Sequence, residues 1–136
     1  MRFDTKIAIV VRDDLAGWQA LNVTAFMAGA VAGGIPETVG KPYEDASGNE
    51  YLPTLRQPVL VYSADAAQLA TVRERAVARE LATALYTADL FATGNDDDNR
   101  AAVRDVAAEA LDLVGLAVYG PRNRVDKTLK GLPLHG

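Results

Sequence analysis

The five residues Ile7-Ala8-Ile9-Val10-Val11 restrict this chain more than any other stretch of it. A short continuous run, mostly β-branched and without polar alternation, has no face to offer to water. It is therefore expected at the centre of a sheet covered on both sides, and the covering layers must come from the rest of the chain. The segment that follows, Leu15 to Ile35, holds no charged side chain and reads as a helix from about Trp18 to Gly33. Within it Ala25, Gly29 and Gly33 recur every four positions, which leaves one face nearly bare backbone and predicts close packing there. Gly33-Gly34-Ile35-Pro36 ends the helix, glycine permitting a left-handed turn and proline forbidding continuation.

An uncharged stretch of this length could cross a hydrocarbon core. Its content argues otherwise: Gln19, Asn22, Thr24 and repeated glycines suit lipid poorly, and Arg12, Asp13 and Asp14 flank it without the basic cluster that orients a span. No membrane association is expected, and Ile7 to Val11 is too short an apolar core for a secretory signal. The chain has no cysteine and one histidine, His135. That removes thiol nucleophiles, disulfides and cysteine or histidine metal sites, so no metal or cofactor is expected and the reducing cytoplasm is the expected compartment. With 136 residues, 1–136 reads as one domain large enough to need no covalent staple. A net charge of -4 makes RNA a possible but disfavoured partner.

Further along, Thr38 to Pro53 predicts an inserted β-hairpin, a flap of thin apolar content turning at Asp45-Ala46-Ser47-Gly48. Pro58 to Tyr62 reads as a second buried strand. Asp65 and Gln68 have the spacing of a capping box for a helix to about Arg79, with Leu69, Val72, Ala76 and Val77 as its apolar stripe. Ala82–Thr87 and Leu113–Tyr119 complete four strands. Between them Asn95 to Asn99 leads an acidic helical insertion at about 96–111, whose carboxylates suit the positive end of a helix dipole. Pro121 is placed to open the last helix and Gly131 to close it. Strands alternating with helices predict an α/β fold, a three-layer α/β/α sandwich around a four-stranded, mostly parallel (mixed) sheet.

Ligands in such folds collect beyond the carboxyl ends of the strands. Arg12 and Asp14 follow the first strand there, the arginine suited to a carboxylate or phosphate and Asp14 to orienting it or taking a proton. Gln19 and Asn22 are amides in an otherwise apolar helix and must find backbone, water or ligand. Asp89 ends the third strand, and by itself it reads as a turn residue. Trp18 is expected to wall a pocket or to anchor its helix. Arg122, Arg124, Lys127 and Lys130 make the last helix locally basic, a patch fit for an acidic ligand. His135 is read as a surface residue near the terminus.

Lys6 to Leu15 resembles the opening strand of peptidyl-tRNA hydrolase II enzymes, Leu81 to Asp89 their third strand with its terminal aspartate, and Gly115 to Pro121 with Val125 to Leu134 their closing strand and helix. That resemblance implies a hydrolase II-like fold and a place for Asp89 in the active region. The enzymes' glycine- and lysine-rich turn is replaced by Ala16 to Leu21, and the positions of their lysine and histidine fall on Leu21 and Ala28, which cannot transfer protons. The hairpin, the acidic helix, Leu15 to Thr24 and Gly131 to His135 resemble a bacterial branch of that superfamily, domain of unknown function 2000, and this implies the fold without an activity. Three functions follow as expectations. The first is binding of a small or anionic ligand by Arg12, Asp14, Gln19, Asn22, Asp89 and Lys127. The second is a diverged ester or amide hydrolase using Asp89 or Asp14, and the third is self-association as a dimer.

Overall fold

In the computed structural model, which describes residues 2–136, the apolar run lies inside strand β1 (Thr5–Arg12) and is wholly buried from Ile7 to Val11. An exposed hairpin contributes β2 (Tyr43–Glu44) and β3 (Glu50–Tyr51). The main sheet adds β4 (Val59–Ala64), β5 (Ala82–Thr87) and β6 (Leu113–Pro121), in the order β4-β1-β6-β5. β1 pairs parallel with β4 and antiparallel with β6, and β6 pairs antiparallel with β5. Three strands thus run one way and β6 the other. The carboxyl ends of β1, β4 and β5 meet the start of β6 at one end of the sheet, called the strand-tip end below.

Successive β1 side chains point to opposite faces. Ile7, Ile9 and Val11 pack with Val23, Met27 and Val31 of helix α1 (Gly17–Gly34). Ala8 and Val10 pack with Leu69, Val72 and Ala76 of α2 (Ala66–Ala78) and with Val125 and Leu129 in and after α4 (Arg122–Thr128). Each fully buried aliphatic side chain contributes about 1.5–3 kcal/mol. This two-sided burial is the three-layer α/β/α arrangement, and α3 (Asp96–Arg104) follows β5 along the chain.

The capping box forms as its spacing predicts: Asp65 Oδ1 accepts from the Gln68 amide at 2.8 Å, and Gln68 Oε1 accepts from the Asp65 amide at 2.9 Å. Helix α2 closes in a Schellman turn, with the Leu81 amide bonded to the Ala76 carbonyl and that of Glu80 to Val77. Glu80 takes the left-handed position, at φ 57°, that glycine usually fills.

Several expectations are corrected. Ala25, Gly29 and Gly33 face outward, and α1 touches the sheet through larger residues. The close approach comes from the sheet side, where a Cβ at Gly115 of β6 would overlap Val23. Gly33 and Gly34 keep negative φ, and the helix stops because Pro36 starts a 3-10 turn. Val77 is exposed, one step round from the buried stripe. The acidic helix ends at Arg104, and a separate 3-10 turn covers Ala108–Ala110. Residues 41–52 are exposed on both faces, so the hairpin stands off the body and covers nothing. Its turn is tied by Asp45, whose carboxylate accepts from the backbone amide and side chain of Asn49, from the Tyr51 hydroxyl and from the Ser47 amide, which lowers its pKa to about 2.

Candidate functional site

Of the six candidate residues, five lie toward the strand-tip end of the sheet and Lys127 at the other. Arg12 bridges Asp14 (2.6 Å) and Asp112 (2.7 Å) and also donates to the Leu113 carbonyl at 3.3 Å. The hydrogen bond to Asp14, and after it that to Asp112, outweighs partial burial and strengthens the guanidinium's hold on its proton. Both charges at the tip of β1 are therefore engaged with each other. Arg12 and Asp14 form a brace across the sheet end, and neither presents a free charge to a ligand. Gln19 closes the start of α1, its Oε1 accepting from the Ala16 amide at 3.0 Å. Asp89 is exposed in the 3-10 turn Ala88–Ala92. Lys127 lies on α4, which starts from the opposite end of the sheet because β6 runs antiparallel to its neighbours. Of Arg12, Asp14, Asn22 and Asp89, the residues expected to form a crevice, only Asn22 lines the cavity between α1 and α3.

Asn22 is the residue that reaches a hollow. A cavity of about 330 Å³ opens between α1 and the start of α3 at the strand-tip end of β5, lined by Asn22, Trp18, Phe26, Tyr86, Phe91 and Asn99 among others. A neighbouring hollow of about 370 Å³ shares Phe26, Tyr86, Leu90, Asp96 and Asn99 with it. Trp18, Asn22 and Phe26 recur every four residues, so one helix edge carries an amide between two aromatic rings. Trp18 meets Phe91 edge-on at 5.7 Å between centroids, Phe91 meets Tyr86 at 5.1 Å, and Tyr86 meets Phe26 at 5.5 Å.

The polar groups of the cavity are few and directed. Asn22 Nδ2 donates to the Tyr86 hydroxyl at 3.2 Å. Burial pushes the Tyr86 phenol above its usual range, and the bond from Asn22 pulls it partly back. The phenol thus stays protonated at neutral pH, with its O–H left to donate. Thr93 bonds Asn99 across the far wall. Asn95 caps α3 through Asp98, and Arg100 is paired with both Asp96 and Asp97. The positive end of the helix dipole is therefore already met by carboxylates, and the rim is acidic. Among the described residues no group of three or more metal-ligating side chains occurs, and no helix is long and apolar enough to cross a membrane.

Sequence reasoning named Asn22 and Trp18 but missed Phe26, Tyr86, Phe91, Thr93 and Asn99. The four-residue spacing of Trp18, Asn22 and Phe26 was the available signal. The residues after β5 carried none, because only the fold sets them opposite α1.

The same fold occurs in a solved protein of unknown function, Atu0240 from Agrobacterium tumefaciens strain C58, with 41% identity over 99% of this chain and 100% of that one and a TM-score of 0.95. No curated protein matches the chain. The likeness to peptidyl-tRNA hydrolase II enzymes rests on the quoted sequence segments alone. A family model described as protein of unknown function (DUF2000) matches residues 5–136, and the chain belongs to that family.

Proposed function

We propose that the chain is a small-molecule binding domain whose site is the aromatic and amide cavity between α1 and α3. One observation carries this reading: the Asn22 amide is bonded to the Tyr86 hydroxyl in a cavity lining that also holds the aromatic side chains of Trp18, Phe26 and Phe91. Concave apolar walls with a few directed polar groups are the usual composition of a ligand site. The walls favour a flat ring, and the amides and phenol favour a ligand with its own donors and acceptors. The acidic rim favours an uncharged or cationic ligand over an anion. A hydrolytic reading through Asp14 or Asp89 draws no support from this arrangement, since Asp14 is held by Arg12 and Asp89 lies outside the cavity lining.

Trp18, the sole tryptophan, sits on the cavity wall and reports on it. Adenosine, tyramine and benzamidine titrated against its fluorescence should give saturable changes with at least one probe, and Asn22→Ala should weaken that binding about tenfold, the worth of one well-made hydrogen bond. Absence of any saturable change, or an Asn22→Ala variant that binds equally well, contradicts the proposal.

A second reading, pairing of two copies through α1, is favoured by the outward face of that helix. Trp18 is 63% exposed, Leu21 74% and Phe26 53%, and Ala25, Gly29 and Gly33 lie exposed along the same side. Exposed apolar patches of this kind mark association surfaces. A two-fold axis sets a face against itself, and an uncharged face meets no like charge when so paired. Leu21 lines no part of the cavity. Light scattering should therefore show a dimer that Leu21→Glu dissociates while ligand binding persists; a monomer at millimolar concentration refutes the pairing alone.

A further inference from the structure

We infer a second, separate ligand site at the opposite end of the sheet, a hollow of about 370 Å³ lined by Arg79, Pro121, Asn123, Arg124 and Lys127, and we propose that it takes a small phosphate-bearing anion. Three cations converge on it from two elements, Arg79 from the end of α2 and Arg124 and Lys127 from successive turns of α4. No acidic residue lines it. Among the described residues, none of the three cations lies within ion-pair distance of a carboxylate.

The local chain explains why they are unpaired. Asp126 is the sole acidic residue of α4, and it is spent on Lys6, whose Nζ lies 2.6 Å from Asp126 Oδ1 and 2.7 Å from the Tyr62 hydroxyl. Glu80 follows Arg79 but does not line the hollow. Arg124 spends one guanidinium nitrogen on the Arg79 carbonyl, at 3.2 Å, which ties the two elements together and leaves its other donors free. Like charges gathered without counter-charge repel one another, and an anion seated among them turns that repulsion into attraction. Two arginine forks and one lysine point charge match the oxygens of a phosphate group. The volume of this open hollow suits a ligand of nucleotide size. A chain of net charge -4 as a whole is poorly suited to a nucleic-acid backbone, so the occupant is a small molecule.

Isothermal titration of the wild-type chain with tripolyphosphate at low salt, alongside a ten-nucleotide RNA, tests this. Tripolyphosphate should bind in the micromolar to low millimolar range. The double variant R124Q/K127Q, altered at exposed positions and checked for an unchanged circular-dichroism spectrum, should bind at least tenfold more weakly. Amide shifts in the wild type should concentrate at Arg79, Asn123, Arg124 and Lys127, a readout independent of any variant. Failure of tripolyphosphate to bind, equal binding by the double variant, shifts centred elsewhere, or binding of the RNA without tripolyphosphate would each overturn the inference.

Discussion

The two ends of the sheet are furnished with similar residues and dispose of their charges differently. At the strand-tip end Arg12 lies between Asp14 and Asp112, and Arg100 between Asp96 and Asp97, so the cations beside the cavity are neutralised within the chain. The hollow left there is aromatic and amide-lined under an acidic rim. At the other end Lys6 engages Asp126, and Arg79, Arg124 and Lys127 line a hollow with no carboxylate. What separates the ends is the destination of the acidic side chains. The overall charge of -4 is an average over both and describes neither.

The same contrast governs what each end tolerates. Both carry a β6 glycine under a neighbouring side chain, Gly115 beneath Val23 near the strand tips and Gly120 beneath Leu81 at the far end. Valine on a helix is confined to essentially one rotamer, whereas the Leu81 methyl group is the far end of a more pliable chain. Gly115→Ala should cost about 3 kcal/mol and lift α1 away from the sheet, with Trp18 emission changing in step. Gly120→Ala should cost about 1 kcal/mol and leave the emission unaltered. Urea denaturation measures both, and equal costs would erase the distinction drawn between the ends.

Two substitutions should stabilise the chain, one at each end. Thr87, at the bulge that ends β5, is 1% exposed, and its hydroxyl has no hydrogen-bond partner among the described residues. Thr87→Val keeps the shape and removes the unmet group, for a gain of about 1 kcal/mol. Glu80→Gly relieves the left-handed residue in the Schellman turn beside Arg79, for a gain of somewhat under 1 kcal/mol. Thermal melts check both, and a loss in either case would show that the side chain makes a contact unaccounted for.

The smallest effect concerns Lys6. Burial opposes its charge, but hydrogen bonds to Asp126 and Tyr62 outweigh burial and raise its pKa above the ordinary 10.5. Because the folded value lies above the unfolded one, its contribution is complete below pH 10.5 and is lost as pH climbs through the folded value. Lys6→Met should therefore flatten the alkaline limb of the stability profile. Asp45 has the opposite sign: the contribution of its carboxylate to the hairpin is complete above its ordinary value of 3.8 and fades as pH falls through about 2.

Much of the architecture was legible before any coordinates. Ile7 to Val11, the later apolar runs and the Asp65–Gln68 pair each announce an element through local pattern, which burial then satisfies. The direction of β6 carries no such mark, because hydrophobic pattern is the same read either way, and that direction alone sends Lys127 to the far end. The same limit hid the partners of Arg12 and Lys6: Asp112 and Asp126 lie 100 and 120 residues away along the chain. Asn22 was legible as an amide in need of a partner. Tyr86 was not legible as that partner, since only the sheet brings β5 beneath α1.

On these two proposals, the two ends of the sheet select ligands of different charge. A nitrogen-15 correlation spectrum of the wild-type chain, titrated separately with adenosine and with tripolyphosphate, tests it most directly. Adenosine should move the resonances of Trp18, Asn22, Tyr86 and Asn99, and tripolyphosphate those of Arg79, Asn123, Arg124 and Lys127, with little overlap. Tripolyphosphate acting at the Asn22 cavity, or both probes perturbing one common set of residues, would contradict it.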